Sequence, residues 1–160
     1  MKKIPENKTR KGLRTALWIM YLLQIVLCSM PYYQYVMDGK LFSNSVFEML
    51  SALGAGNEIG LQSAEFSAVT RMIPLNFIFV IIPIIGFFFC VLDRQSNMKN
   101  IVSIICCLAG VVSILTIVTV NLLSLGSLLA LLLYILISFL STISIFARFS
   151  APSEGEIQKS

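Results

Sequence analysis

The sequence predicts an all-α integral membrane protein: a bundle of four transmembrane helices with a short amphipathic helix in the first extracytoplasmic loop. Hydrophobic residues make up 57% of the 160 residues and charged residues only 12%, whereas soluble domains carry about 25% charged residues. The charged residues are also grouped into a few short segments. Between them lie charge-free blocks near 15–37, 72–92 and 100–147, and each is long enough for one or, in the last block, two helices across a bilayer.

The four spans are predicted at about 15–36, 73–92, 101–122 and 127–147. A helix rises about 1.5 Å per residue, so roughly 20 apolar residues cross the hydrocarbon core. The last charge-free block is too long for one span, and the turn-forming residues in "NLLSLGSLL" divide it into two. A basic arm, residues 1–14, precedes the first span. A polar tail, residues 148–160, follows the fourth and is expected to be disordered.

Lys and Arg are distributed unequally over the segments that the spans separate. The arm has six of them, the segment 93–100 two and the tail two, while the turn between the third and fourth spans has none. The outer loop, 37–72, carries two bases against four acids. Because positively charged loops stay in the cytoplasm, we expect a multi-pass protein of the cell membrane with both termini cytoplasmic.

The outer loop contains "FSNSVFEMLSALGAG", in which apolar side chains recur at helical spacing. Ser45 and Glu48 are three residues apart, as in a capping box, and Gly54 is placed as a C-terminal glycine. We therefore expect a helix over 43–53 that lies in the membrane interface. It either covers the ends of the spans or, with Glu48 exposed, offers a docking surface to a partner or a lipid headgroup. The apolar stripe comprises Phe42, Val46, Met49, Leu50 and Leu53.

A few polar side chains fall inside the predicted spans, and we interpret them as contacts between helices. An amide in hydrocarbon needs a partner, so Gln24 is expected to face another helix or another copy; the alternative is a pore or ligand contact. Asn76 and Asn121 fall at similar depths in consecutive spans and are expected to hydrogen-bond to each other. The hydroxyls of the fourth span either pack against a neighbour or line a water path. The full set is Gln24, Asn76, Asn121, Ser138, Ser141 and Thr142.

Two further patterns concern helix packing and the membrane interface. Gly86 and Cys90 are four residues apart, as are Cys106 and Gly110, and small residues at this spacing let helix backbones approach closely. Aromatic residues near both ends of the first span are interpreted as an interfacial belt. These are Trp18 and Tyr21 at the inner end and Tyr32, Tyr33 and Tyr35 at the outer end.

The residue types that are missing exclude several kinds of site. The chain has no histidine, which rules out Ser-His-Asp and Cys-His catalysis and His-based zinc sites. No carboxylate lies inside a predicted span and no phosphate-binding glycine-rich motif is present. The four cysteines are expected to be small packing residues. We therefore expect no enzymatic activity, no cofactor and no metal.

These features are typical of an accessory or structural subunit that acts through helix–helix and interfacial contacts. The expected partners are membrane lipids and other membrane proteins or copies of the same chain. Nucleic acid is not expected, because no basic segment is interleaved with aromatic residues. The alternative is a channel or transport subunit that works as an oligomer. A helix that lines a pore is expected to carry a continuous polar stripe, and the predicted fourth span has such a stripe over half of its length.

Overall fold

The computed structural model describes residues 8–37, 39–54, 73–93, 98–118 and 120–149, and these are mostly helical. Half of the predicted basic arm, most of the polar tail and much of the outer loop lie outside the described residues. The elements are α1 (Lys8–Leu27), β1 (Pro31–Met37), β2 (Lys40–Ser45), α2 (Val46–Gly54), α3 (Phe77–Leu92), α4 (Met98–Ser113) and α5 (Leu125–Phe149). A 3-10 turn (Ile73–Asn76) precedes α3, a π-helical turn (Ile114–Val118) extends α4, and a second 3-10 turn (Val120–Leu122) precedes α5.

The four long helices contact each other in antiparallel pairs. α1 packs against α3 and α5, and α4 packs against the same two helices. The start of α1 and the end of α5 therefore lie at one end of the group, which we call the terminal end; the other is the hairpin end. The pairs that set these directions are Cys28 with Phe79 and Trp18 with Phe87, Asn100 with Ser144, and Gly110 with Tyr134.

The buried residues of each long helix recur at alternating intervals of three and four. This is the spacing of a seam that faces neighbouring helices, so the core runs along the axis between α1, α3, α4 and α5. The seam of α5 is Ser127, Ala130, Tyr134, Ile137, Ser141 and Ser144; that of α4 is Asn100, Ser103, Cys107, Gly110 and Ile114; that of α3 is Phe79, Pro83, Gly86 and Cys90; and that of α1 is Leu17, Tyr21, Gln24 and Cys28.

Within the described ranges, two helices are long and apolar enough to span a membrane. They are Met98–Val118, with a mean hydropathy of 2.8, and Leu125–Ala147, with a mean hydropathy of 2.5. Both are largely uncovered by the rest of the protein, since 39% and 28% of their most apolar windows are buried. α3 is apolar but has 16 residues. These lengths and compositions are consistent with association with a membrane.

The segment 31–45 corrects the sequence interpretation. The first span was predicted to reach residue 36 and the outer helix to start near residue 43, but Pro31–Met37 and Lys40–Ser45 pair as antiparallel strands. The physical reason is local in the sequence, because Asp-Gly, at positions 38–39, is a preferred two-residue hairpin connection. Gly39 has a φ of +73°, a backbone conformation that is unfavourable for residues other than glycine. The fold is therefore mostly helical rather than all-α.

The hairpin shortens the first predicted span and changes the role of its tyrosines. α1 ends at Leu27, so its charge-free part, 15–27, is about 20 Å long. Tyr32 and Tyr33 are only 1% and 2% exposed, and the Tyr32 ring packs on Phe79 with centroids 5.2 Å apart. Tyr21 is also buried. The prediction of an interfacial belt is therefore wrong for these three tyrosines, which belong to the protein core.

The capping box of the outer-loop helix is confirmed, although the helix begins later than predicted. α2 starts at Val46, directly after β2. The backbone N–H of Ser45 donates to Oε2 of Glu48 at 2.7 Å, and the backbone N–H of Glu48 donates to Oγ of Ser45 at 3.2 Å. These bonds pair two N–H groups that a helix start leaves open.

The apolar stripe predicted for this helix is divided between two elements. Val46 and Met49 are buried and Leu50 is half-buried, as the stripe requires. Phe42 lies in β2, where its ring stacks on Tyr35 with centroids 5.8 Å apart. The predicted exposed position of Glu48 is confirmed. The side chain of Leu53 lies outside the described part of the chain.

A pair of glycine substitutions tests the hairpin turn. An added Cβ at Gly39 meets no atom within 4 Å, so Gly39→Ala should lower the free energy of unfolding by about 1–2 kcal/mol through its left-handed backbone alone. The measurement is denaturant unfolding in mild detergent. Gly12 in α1 is the control, because it is equally open and Gly12→Ala should raise stability by about 0.5–1 kcal/mol. Equal effects of the two substitutions would contradict the turn.

Candidate functional site

Buried polar side chains lie along the axis between the four long helices, and they form the candidate functional site. They gather in two groups, one at each end of the axis. Polar groups taken out of water need hydrogen-bond partners, so the partners of each group determine what it can do. The buried amides, lysine and axial serines are Gln24, Asn76, Lys99, Asn100, Ser103, Ser127, Ser141 and Ser144.

At the terminal end, Asp93 joins α3 to the start of α4. Its Oδ2 accepts the backbone N–H of Lys99 at 2.9 Å, and its backbone carbonyl accepts from Nζ of Lys99 at 3.0 Å. A carboxylate is favourable here because the first N–H groups of a helix lack partners within the helix. Lys99 is only 1% exposed, so its ammonium group is held inside the protein.

Deeper along α4, two side chains connect the helices across the axis. Nδ2 of Asn100 donates to Oγ of Ser144 on α5 at 3.0 Å. Ser103 lies one turn further, with its Oγ 3.7 Å from Sγ of Cys90 on α3. We call Cys90, Lys99, Asn100, Ser103, Ser141 and Ser144 the terminal polar cluster. Two of its buried atoms, Oδ1 of Asn100 and Oγ of Ser141, have no hydrogen-bond partner.

Two tyrosine rings fill the axis beyond this cluster. Tyr21 of α1 lies against Gly86 of α3, and Tyr134 of α5 lies against Gly110 of α4. A Cβ at either glycine would come within 3.0 Å of the facing ring. We call these four residues the tyrosine–glycine layer. The sequence predicted that Gly86 and Gly110 let helix backbones approach closely, whereas in the structure each glycine makes room for a tyrosine ring.

The second polar group lies at the hairpin end. The Tyr33 hydroxyl donates to Oδ1 of Asn76, which fixes β1 to the start of α3. Burial raises the pKa of Tyr33, and its hydrogen bond to Asn76 opposes that rise, so the hydroxyl keeps its proton at neutral pH. The carbonyl of Cys28 accepts the backbone N–H of Val46 at 3.1 Å. The hairpin and α2 are thereby tied to the helix ends.

The hydrogen bond predicted between Asn76 and Asn121 is replaced by the bond from Tyr33. Asn121 is exposed on the turn between α4 and α5. The cause is the hairpin, which brings Tyr33 back over the helix ends and pairs it with Leu123 through an isolated bridge. Tyr33 thereby occupies the position that the antiparallel-span argument assigned to Asn121.

Gln24 is buried and faces another helix, as the sequence predicted. Its Nε2 donates to the carbonyl of Ala130 on α5 at 3.4 Å, while its Oε1 has no hydrogen-bond partner. This long bond is an interhelical contact of the weak kind that membrane proteins commonly contain.

The predicted hydroxyl stripe of the fourth span is divided by the structure. Ser141 is fully buried and faces the axis. Thr142 is half-buried, and its Oγ1 donates to the carbonyl of Ser138 at 2.9 Å within α5. The structure therefore brings Ser141, and not Ser138 or Thr142, into the polar core.

Sequence reasoning missed Lys99, Asn100, Ser103 and Tyr33 as functional candidates. The first two were assigned to a loop or to the edge of the third span, which was predicted to begin at 101 but begins at Met98. The spacing of Asn100, Ser103, Cys107 and Gly110 carries the signal that they share one face, because it continues the seam of α4.

The chain has no match among known protein families, curated proteins or solved structures. Within the described ranges, no group of three or more His, Cys, Asp or Glu side chains is arranged to hold a metal ion. All four cysteines are buried and none forms a disulfide.

A double-mutant cycle tests the tyrosine–glycine layer. Gly86→Ala should lower the free energy of unfolding by about 1–3 kcal/mol, because the Tyr21 ring must move out of a packed core. The Tyr21 hydroxyl, which donates to the Ser103 carbonyl at 3.3 Å, would move with it. In a Tyr21→Leu background, which removes the ring, Gly86→Ala should have a much smaller effect. An equal effect in both backgrounds would show that the ring and the glycine are not coupled.

Proposed function

We propose that this is a multi-pass protein of the cell membrane in which α1, α3, α4 and α5 form a transmembrane four-helix bundle. The observation that carries the proposal is the inverted distribution of polarity. Amides, serines and Lys99 are buried on the axis, while large apolar side chains are exposed on all four helices. A soluble protein rarely exposes contiguous apolar patches larger than a few hundred Å². In lipid, an apolar exterior is required and polar side chains belong inside.

The exposed fractions of the apolar side chains are too large to be incidental. They exceed one half at successive positions along α4 and α5, on the sides that face away from the axis. A coating of this kind is expected of helices surrounded by hydrocarbon. The residues are Ile105 (59%), Leu108 (63%), Val112 (57%), Leu132 (62%), Ile135 (61%), Phe139 (61%) and Phe146 (65%).

The proposed orientation combines the packing directions with the charge distribution. The antiparallel pairs put the start of α1 and the end of α5 at the terminal end. Six of the twelve Lys and Arg residues lie in the first 14 positions, which favours a cytoplasmic terminal end. The hairpin and α2 are then extracytoplasmic. Val36 and Leu41, 58% and 64% exposed, suit a hairpin that lies in the membrane interface.

We propose an accessory or structural role, carried by helix–helix and interfacial contacts with lipids and other membrane proteins. The tyrosine–glycine layer supports this role, because two buried rings occupy the axis of a single copy where a solute path would run. The second candidate is a channel or transport subunit that works as an oligomer. It is favoured by the terminal polar cluster, whose two unpartnered atoms extend the polar lining from one end as far as the layer.

The outer face of α2 is the proposed contact surface. Val46 and Met49 point toward the helix ends and cover them, while Phe47 is 42% exposed next to the exposed Glu48. An exposed aromatic side chain beside a charge is typical of protein interfaces, where aromatic residues are enriched. α2 thus closes the hairpin end on one side and presents Phe47 on the other.

Photo-crosslinking tests this role. Replacing Phe47 by p-azidophenylalanine should give an adduct with a different membrane protein on illumination of intact membranes. The matched control is the same replacement at Phe79, which is 1% exposed and should crosslink only within the chain. Adducts of Phe47 with copies of the same chain would favour the oligomeric channel. Adducts with lipid alone would contradict a partner at α2 and leave it as a cover for the helix ends.

A further inference from the structure

We propose that the terminal polar cluster is a binding site for water, enclosed by α3, α4 and α5 between the terminal end and the tyrosine–glycine layer. The inference goes beyond the proposed function. It depends on the packing of the helices and not on the identity of any partner.

Two buried polar atoms of the cluster have no hydrogen-bond partner. Asn100 and Ser141 are both 0% exposed, and Oδ1 of Asn100 and Oγ of Ser141 have no hydrogen-bond partner in the protein. Nearly all buried polar groups in native proteins pair with protein or with ordered water. The alternative orientation of the Asn100 amide, with its oxygen and nitrogen exchanged, also leaves one buried atom without a partner, because the nitrogen would then be unpaired.

Oδ1 of Asn100 and Oγ of Ser141 belong to one polar surface. Asn100 and Ser144 are joined by a hydrogen bond across the axis. Ser141 lies one helical turn from Ser144 on the same seam, and Ser103 lies one turn from Asn100 on the facing seam. A buried water needs two to four polar partners. These four side chains provide them on both sides of the axis.

The chemistry of the cluster favours water over an ion. An anion would be attracted by the ammonium group of Lys99, but that group already donates to the Asp93 carbonyl, and the unpaired carbonyl oxygen of Asn100 repels an anion. A cation would lie close to the ammonium group of Lys99, which is buried one residue earlier in the chain. A small neutral molecule that both donates and accepts hydrogen bonds satisfies the Asn100 oxygen and the Ser141 hydroxyl together.

The position of the cluster would let water enter from the terminal end and would limit how far it can move along the axis. Asn100 is two residues from the start of α4, so the cluster begins close to the terminal end. Ser141 and Tyr134 are seven residues apart on α5, a rise of about 10 Å. Water that enters from the terminal end therefore reaches Ser141 before the Tyr134 ring closes the axis.

Hydroxyl-radical footprinting of the purified protein in mild detergent tests for this water directly. X-ray pulses generate radicals from bound water, and these oxidise adjacent side chains. Cys90 lies 3.7 Å from Ser103 in the cluster, and Cys28 is its internal control, since both are 0% exposed and lie near a helix end. The comparison is made in a Gln24→Leu background, because the unpartnered Oε1 of Gln24 lies one turn from Cys28 and could itself bind water. Cys90 should be oxidised several-fold faster than Cys28. Equal rates would overturn the proposal.

A serine substitution gives an independent result with a definite sign. If the Ser141 hydroxyl binds water, Ser141→Ala should lower the Tm, as Ser127→Ala should. Ser127 is the matched control because its buried hydroxyl is fully paired, accepting from the Ser124 N–H at 2.8 Å and donating to the Ser124 carbonyl at 2.9 Å. If no water binds the Ser141 hydroxyl, removing that hydroxyl also removes the free-energy cost of burying an unpaired polar group. An unchanged or higher Tm for Ser141→Ala would therefore overturn the proposal.

Discussion

The close fit of two tyrosine rings onto two glycines determines how the four long helices are arranged. Tyr21 and Tyr134 are large, buried side chains that approach the axis from α1 and α5, and they pack against Gly86 of α3 and Gly110 of α4. Protein interiors are packed as densely as organic crystals, so neither glycine can be enlarged without moving a ring. The Tyr21 hydroxyl also reaches the Ser103 carbonyl. The layer therefore connects all four helices.

The layer also divides the polar core into two halves with different properties. Toward the hairpin end, Tyr33 and Asn76 form a direct hydrogen bond, and the hairpin and α2 cover the helix ends. Toward the terminal end, Nζ of Lys99 donates to the Asp93 carbonyl and Nδ2 of Asn100 donates to Ser144, while Oδ1 of Asn100 and Oγ of Ser141 have no protein partner.

The positions of α3, α4 and α5 could be predicted because charge-free blocks of the right length fix helices to within a few residues. The capping box of α2 was equally readable, since Ser45 and Glu48 act within one turn. The hairpin was not predicted: "MPYYQYV" continues the apolar run of α1, and hydropathy alone does not separate a strand from a helix. The Asp-Gly turn was the available local signal. The partner of Asn76 depends on that hairpin and could not be found from span positions.

The polar core was only partly predictable for a related reason. Gln24 and Ser141 stand out as polar residues within apolar blocks, so the sequence identifies them. Lys99 and Asn100 lie at the edge of such a block, where a charge or an amide is ordinarily solvated. The three-and-four spacing of the α4 seam, which begins at Asn100, shows that Asn100 turns inward, but this spacing does not include Lys99. Whether Oδ1 of Asn100 finds a partner depends on α5, more than 40 residues away.

The most direct test of the account is a measurement of what surrounds the exposed apolar side chains. Nitroxide labels at Leu132 and Phe139 of α5, both more than 60% exposed, should collide readily with oxygen and rarely with a polar nickel chelate in reconstituted vesicles. A label at Lys11, an exposed position near the terminal end, should show the opposite preference. Equal access of the nickel chelate to Leu132 and Lys11 would mean that α5 faces water, and would contradict a transmembrane bundle with a polar core.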